Sequence, residues 1–124
     1  MPKARPKHLN LFVIRQPLPA IMSILHRVSG VFLFLFLPLL LWLLEKSLAS
    51  PESYENFRAA VSHPLMKLAI IVIVWSYLHH LCAGLRHLAF DMHIGGELRV
   101  ARATSAIVMI VSLALTLVAA VAIW

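Results

Sequence analysis

The sequence predicts an all-α integral membrane protein with three transmembrane helices, and three observations lead there. Apolar residues make up 61% of the 124-residue chain and mean hydropathy is +0.89, whereas charged residues are only 13%. A soluble domain of this size cannot cover so much apolar surface. The apolar residues gather into three runs, each about as long as a helix needs to cross the ~30 Å hydrocarbon core of a bilayer. The net charge of +6 is carried at the ends of those runs rather than along one amphipathic face. It therefore marks membrane topology and is not a nucleic-acid footprint. Cys82 is the only cysteine, which excludes a disulfide framework and a zinc knuckle and leaves a small helix-packing residue.

Residues 1–22 form a basic arm punctuated by Pro2, Pro6, Pro17 and Pro19, with no acidic residue before Glu45. No small-residue cleavage site follows it, and the next apolar run is too long for a signal peptide. The first span is expected over about residues 23–44, with Pro38 at mid-span as a tolerated kink. Residues 45–64 form the connection that follows. Within it, Ser50-Pro51-Glu52 supplies a cap, a proline at the first position and an acid in the first turn of a short surface helix. The second span covers about residues 65–88. A polar turn with Gly95-Gly96 then leads to the third, residues 104–124, where Thr104, Ser105, Ser112 and Thr116 suit helix packing.

Five Lys or Arg residues lie from the N-terminus through Arg27 and three more at Arg86, Arg99 and Arg102; the 45–67 connection has Lys46, Arg58 and Lys67. The positive-inside rule places the N-terminus in the cytoplasm and the C-terminus outside. The start of the first span and the end of the second then share one membrane face.

That arrangement brings together two polar clusters. Residues 78–91, LHHLCAGLRHLAFD, hold three of the seven histidines at the end of a run, 68–85, without a full charge. Polar groups in such a place are costly to insert and point to a site. At about 100° per residue, His80, Gly84, His87 and Asp91 fall on one stripe, and His79 and Arg86 on another. A histidine followed four residues later by glycine suits a flat macrocycle, with an imidazole for the metal and no side chain to hold it away. The simpler alternative is a histidine that hydrogen-bonds a neighbouring helix beside a packing glycine. The second cluster is Ser23, His26 and Arg27, where the first span begins.

A b-type haem needs an axial imidazole within the membrane, which His80 offers, and donors for its propionates at the interface. His26, Arg27, Arg86 and His87 sit at that level, although Arg86 points about 120° away from His80. Ser23 and Arg27, one turn apart, offer a hydroxyl and a cation to a quinone headgroup. The simpler alternative for Arg27 and Arg86 is a snorkelling anchor at the span boundary. His79 faces away from His80, so the two cannot clamp one iron, and a six-coordinate haem needs its second histidine from another chain.

At these residues the sequence resembles the cytochrome b556 family of succinate dehydrogenase, the membrane anchors of succinate:quinone oxidoreductase. The resemblance rests on Arg5-Pro6, on S-x-x-H-R-x-S at Ser23, His26, Arg27 and Ser29, and on H-x-x-x-G-L-R-H-x-x-x-D from His80 to Asp91. It extends over nearly the whole chain, including the WLL end of the first span and the SLASPESYENF connection. It implies a haem-binding helical bundle completed by a second small anchor protein, which brings the other haem ligand. His80 is then the axial ligand of haem b, His26 lies by its propionates, and Ser23 and Arg27 line the ubiquinone site.

The resemblance also implies a flavoprotein that oxidises succinate and an iron–sulfur subunit that passes electrons onward. This chain itself is a non-catalytic anchor with no flavin or iron–sulfur motif. The motif begins too near the first residue to leave room for a mitochondrial presequence, which implies a bacterial inner membrane. Lys7 and His79 depart from the family pattern, Lys7 at no proposed site. The alternatives are the anchor of a fumarate reductase, or a haem-free anchor whose histidines carry protons.

Overall fold

The computed structural model describes residues 10–124, and among them every regular element is a helix. Arg5-Pro6 and Lys7 lie outside the described residues. Three of the four helices are long and apolar enough to cross a membrane: α1 (Leu18–Ala49), α3 (Pro64–Asp91) and α4 (Leu98–Ile123). The fourth, α2 (Pro51–Val61), is a short link between α1 and α3.

Each start follows from local chemistry. Pro19 lies in the first turn of α1, where its missing N–H removes no helical bond. The Ser50 hydroxyl accepts from the Ser53 N–H at 3.0 Å and caps α2, with Pro51 and Glu52 in its first turn. His63, exposed in the connection, caps α3: its Nδ1 accepts from the Leu65 N–H at 3.3 Å. Pro38 lies within α1 without ending it.

α3 ends in a Schellman turn. The Ile94 N–H donates to the Ala89 carbonyl and the His93 N–H to the Phe90 carbonyl, both at 2.9 Å. Residue His93 takes the left-handed position at φ 62°, ahead of Gly95 at φ 80°.

The helices outrun the apolar windows read from sequence. α1 begins at Leu18 and continues to Ala49, and α4 begins at Leu98, so Arg99 and Arg102 lie in its first turns rather than in a loop. Hydropathy reports where lipid lies, whereas backbone hydrogen bonding continues into the interface.

The interior inverts a soluble core. The buried apolar residues are only Met22, Ala83 and Val108 among the described residues, accompanied by Ser29, Ser76, His79, Arg86, Ser105, Ser112 and Thr116. Large apolar side chains such as Phe34, Leu35 and Val121 are exposed. Small and polar residues let membrane helices approach closely, while the apolar ones face outward. α3 packs on both α4 and α1.

Candidate functional site

The stripe of α3 carrying His80, Gly84 and His87 meets α1 where His26 and Ser29 project. The His26 ring stacks on His80 with centroids 4.2 Å apart and planes 14° from parallel, and lies 4.9 Å from His87. These three histidines, with Leu81, Gly84, Leu85 and Leu88, line a groove of ≈ 380 Å³. Leu81, Leu85 and Leu88 are exposed, so the groove opens outward from the bundle. A Cβ at Gly84 would lie 3.5 Å from His26 Nε2. The sequence reserves that space for a flat ligand; in the structure the His26 imidazole covers it.

His80 is held through one ring nitrogen. Its Nδ1 lies 3.0 Å from the His26 backbone carbonyl and 3.1 Å from Ser29 Oγ, and that hydroxyl donates to the same carbonyl at 2.8 Å. A carbonyl oxygen can only accept, and the single Ser29 proton is already engaged. The arrangement in which all three contacts are hydrogen bonds has the ring proton on Nδ1 and the lone pair on Nε2. Gly30 lets the ring come this close: a Cβ there would sit 2.8 Å from His80 Cε1.

The other stripe of α3 is buried at Ser76, His79, Ala83 and Arg86. The sequence groups Arg86 with His26, Arg27 and His87 at the haem propionates, although on a different stripe from His80; its guanidinium reaches α4. Nε donates to Thr104 Oγ1 at 3.0 Å and an Nη2 hydrogen to the Ala101 carbonyl at 3.1 Å. The group also lies 4.4 Å from the centre of the Phe90 ring. His79 is completely buried and stacks on Trp75 at 5.3 Å, with hydrogen-bond partners for neither ring nitrogen among the described residues. Ser23 is half-buried and Arg27 exposed on the flank of α1.

The structure thus gathers His26, His80 and His87, and leaves Arg86 on the far side of α3. Sequence reasoning missed the parts played by Ser29, Gly30 and Thr104. Ser29 and Gly30 follow His26 by three and four positions, which puts them on its side of α1 and is the available signal. Thr104 reads from sequence as a helix-packing residue, but its bond to Arg86 is set by the α3–α4 packing.

The family model for the succinate dehydrogenase/fumarate reductase transmembrane subunit matches residues 1–119. A succinate dehydrogenase cytochrome b556 subunit of Coxiella burnetii is 38% identical over 121 residues, covering 97% of each chain. That of Rickettsia prowazekii is 30% identical over 113 residues, covering 91% of this chain and 88% of its own. That of Paracoccus denitrificans is 35% identical over 101 residues, or 82% and 78%. With its three apolar helices and this match along nearly its whole length, the chain belongs to the family of transmembrane subunits of succinate dehydrogenase and fumarate reductase.

Proposed function

We infer that the chain is the haem-binding anchor of a succinate:ubiquinone oxidoreductase, with His80 Nε2 as the axial ligand of haem b. The observation that carries this reading is the seating of His80 Nδ1 against the His26 carbonyl at 3.0 Å. A ring with Nδ1–H held by a carbonyl presents Nε2 as a metal ligand, the arrangement that metal-binding histidines generally have. The names of the relatives, cytochrome b556 subunits, agree with it. The rest of the donor set fits as well. His26 and His87 flank His80 in one groove, and Arg27 is exposed one residue beyond His26, so all three are offered to the propionates. Arg86 joins them only by giving up Thr104 and Ala101. Haem b, when bound, supplies a one-electron carrier.

The second axial histidine comes from the partner anchor, a second small membrane protein of the complex, because His79 points away from His80. Ser23 and Arg27 hold the ubiquinone headgroup: the hydroxyl and guanidinium donate to its oxygens, and the exposed arginine opens toward water as the source of protons. A flavoprotein and an iron–sulfur protein, docked on the cytoplasmic face of a bacterial inner membrane, deliver electrons from succinate. The N-terminus lies on that face and the C-terminus in the periplasm. The test is purification through a tag on this chain. It should bring down the second small anchor, a flavoprotein and an iron–sulfur protein with a reduced b-type spectrum. A complex without that spectrum would remove the haem from this reading.

A further inference from the structure

We propose that Ser29 and Gly30 of α1 form a positioning seat for His80, and that Ser29 sets the electron-donating strength of its ring. This deepens the haem-ligand reading and rests on it. Three observations meet at this point. His80 Nδ1 has two acceptors, the His26 carbonyl at 3.0 Å and Ser29 Oγ at 3.1 Å. Ser29 Oγ in turn donates to the His26 carbonyl at 2.8 Å, and Ser29 is almost fully buried at 3% exposure. A hydroxyl that donates to a carbonyl becomes a better acceptor, so the path from Nδ1–H through Ser29 Oγ–H to the His26 carbonyl is a cooperative chain of two hydrogen bonds, alongside the direct contact of Nδ1 with the carbonyl. Gly30 closes the seat, since a Cβ at that position would overlap His80 Cε1 at 2.8 Å.

The consequence follows from the shared proton. An acceptor on Nδ1–H draws that proton away and raises the basicity of Nε2. A more basic axial nitrogen stabilises ferric over ferrous iron and so lowers the haem reduction potential. Ser29 is buried against the His80 ring and acts through the imidazole. Gly30 acts through distance, because only a bare α-carbon lets the ring reach both acceptors. A serine one turn past His26 that merely packed would need no contact with a residue of another helix, 51 positions along the chain.

The test uses the whole complex purified with wild-type chain, Ser29→Ala, Ser29→Thr, Gly30→Ala or His80→Leu. Haem per complex, the potential from an optical redox titration and the low-spin electron paramagnetic resonance g values are measured on each. Ser29→Ala is expected to keep haem, with the potential moved upward and the g values shifted. Ser29→Thr, which restores a hydroxyl, should return both toward wild type. Gly30→Ala should lose haem or show a larger spectral change than Ser29→Ala. An unchanged or lowered potential in haem-loaded Ser29→Ala overturns the seat, and so does loss of haem in both Ser29 variants, since packing alone then suffices. Wild-type complex without haem, or haem retained in His80→Leu, refutes the ligand reading itself, so the two failures are distinguishable.

Discussion

The imidazoles of His26 and His80 stack at 4.2 Å while Nδ1 of His80 lies 3.0 Å from the backbone carbonyl of His26. One residue of α1 thus meets the proposed ligand through both its ring and its backbone. The backbone contact survives any substitution of the His26 side chain, which separates the two roles. His26→Ala should therefore leave the His80 tautomer and the b-type spectrum in place and affect chiefly the haem environment near the propionates. Absorption spectra and haem content of the purified variant check this, and complete loss of haem would show that the ring itself is needed.

Arg86 and Thr104 join α3 to α4, and the guanidinium is buried. Thr104→Val removes one acceptor from a charged donor and should lower stability by about 1–3 kcal/mol. Arg86→Leu removes both hydrogen bonds and the contact with Phe90, but also removes the charge whose partners would be lacking. Thermal denaturation of the purified complex should show a clear fall for Thr104→Val with the haem spectrum unchanged. A spectral change without a stability change would instead place Arg86 at the cofactor.

Arg27 and Ser23 separate quinone reduction from assembly. Arg27→Leu should lower the ratio of quinone-reductase activity to artificial-acceptor activity by roughly tenfold or more, and Ser23→Ala by roughly a few-fold. A charge-assisted donor matters more where negative charge develops on the quinone oxygens. An unchanged ratio in both variants would reduce these residues to helix anchors. Loss of haem in Arg27→Leu would move that residue to the propionates alone.

Topology is checked by fusions. A reporter after Trp124 should behave as periplasmic and one placed between Gly95 and Gly96 as cytoplasmic, following the distribution of basic residues. The opposite pattern would turn the proposed site toward the wrong compartment.

Much of this architecture was legible in the chain because membrane helices leave two strong signals. Uncharged runs located α1, α3 and α4, and the 100° rotation per residue separated the stripe of His80, Gly84 and His87 from that of His79 and Arg86. The start of α2 was legible from Ser50-Pro51-Glu52, but the start of α4 was not, since polar residues such as Arg99 and Arg102 continue a helix outside lipid as readily as they end it. Nor was the attachment of Arg86 to α4: rotation excludes a face but does not say which helix covers it. The Ser29–His80 contact was hidden for the same reason, because only the packing of α1 on α3 brings the two residues together.

That His80 holds the haem is tested most sharply by the reduced-minus-oxidised spectrum of two complexes that differ at adjacent histidines. His79 is fully buried with two unpaired nitrogens among the described residues, so replacing it by leucine removes no hydrogen bond and should leave stability and the b-type signal near wild type. His80→Leu removes the imidazole that lines this groove with Nδ1 against the His26 carbonyl, and should abolish or strongly perturb the signal. A complex that keeps its haem in His80→Leu and loses it in His79→Leu would contradict the assignment.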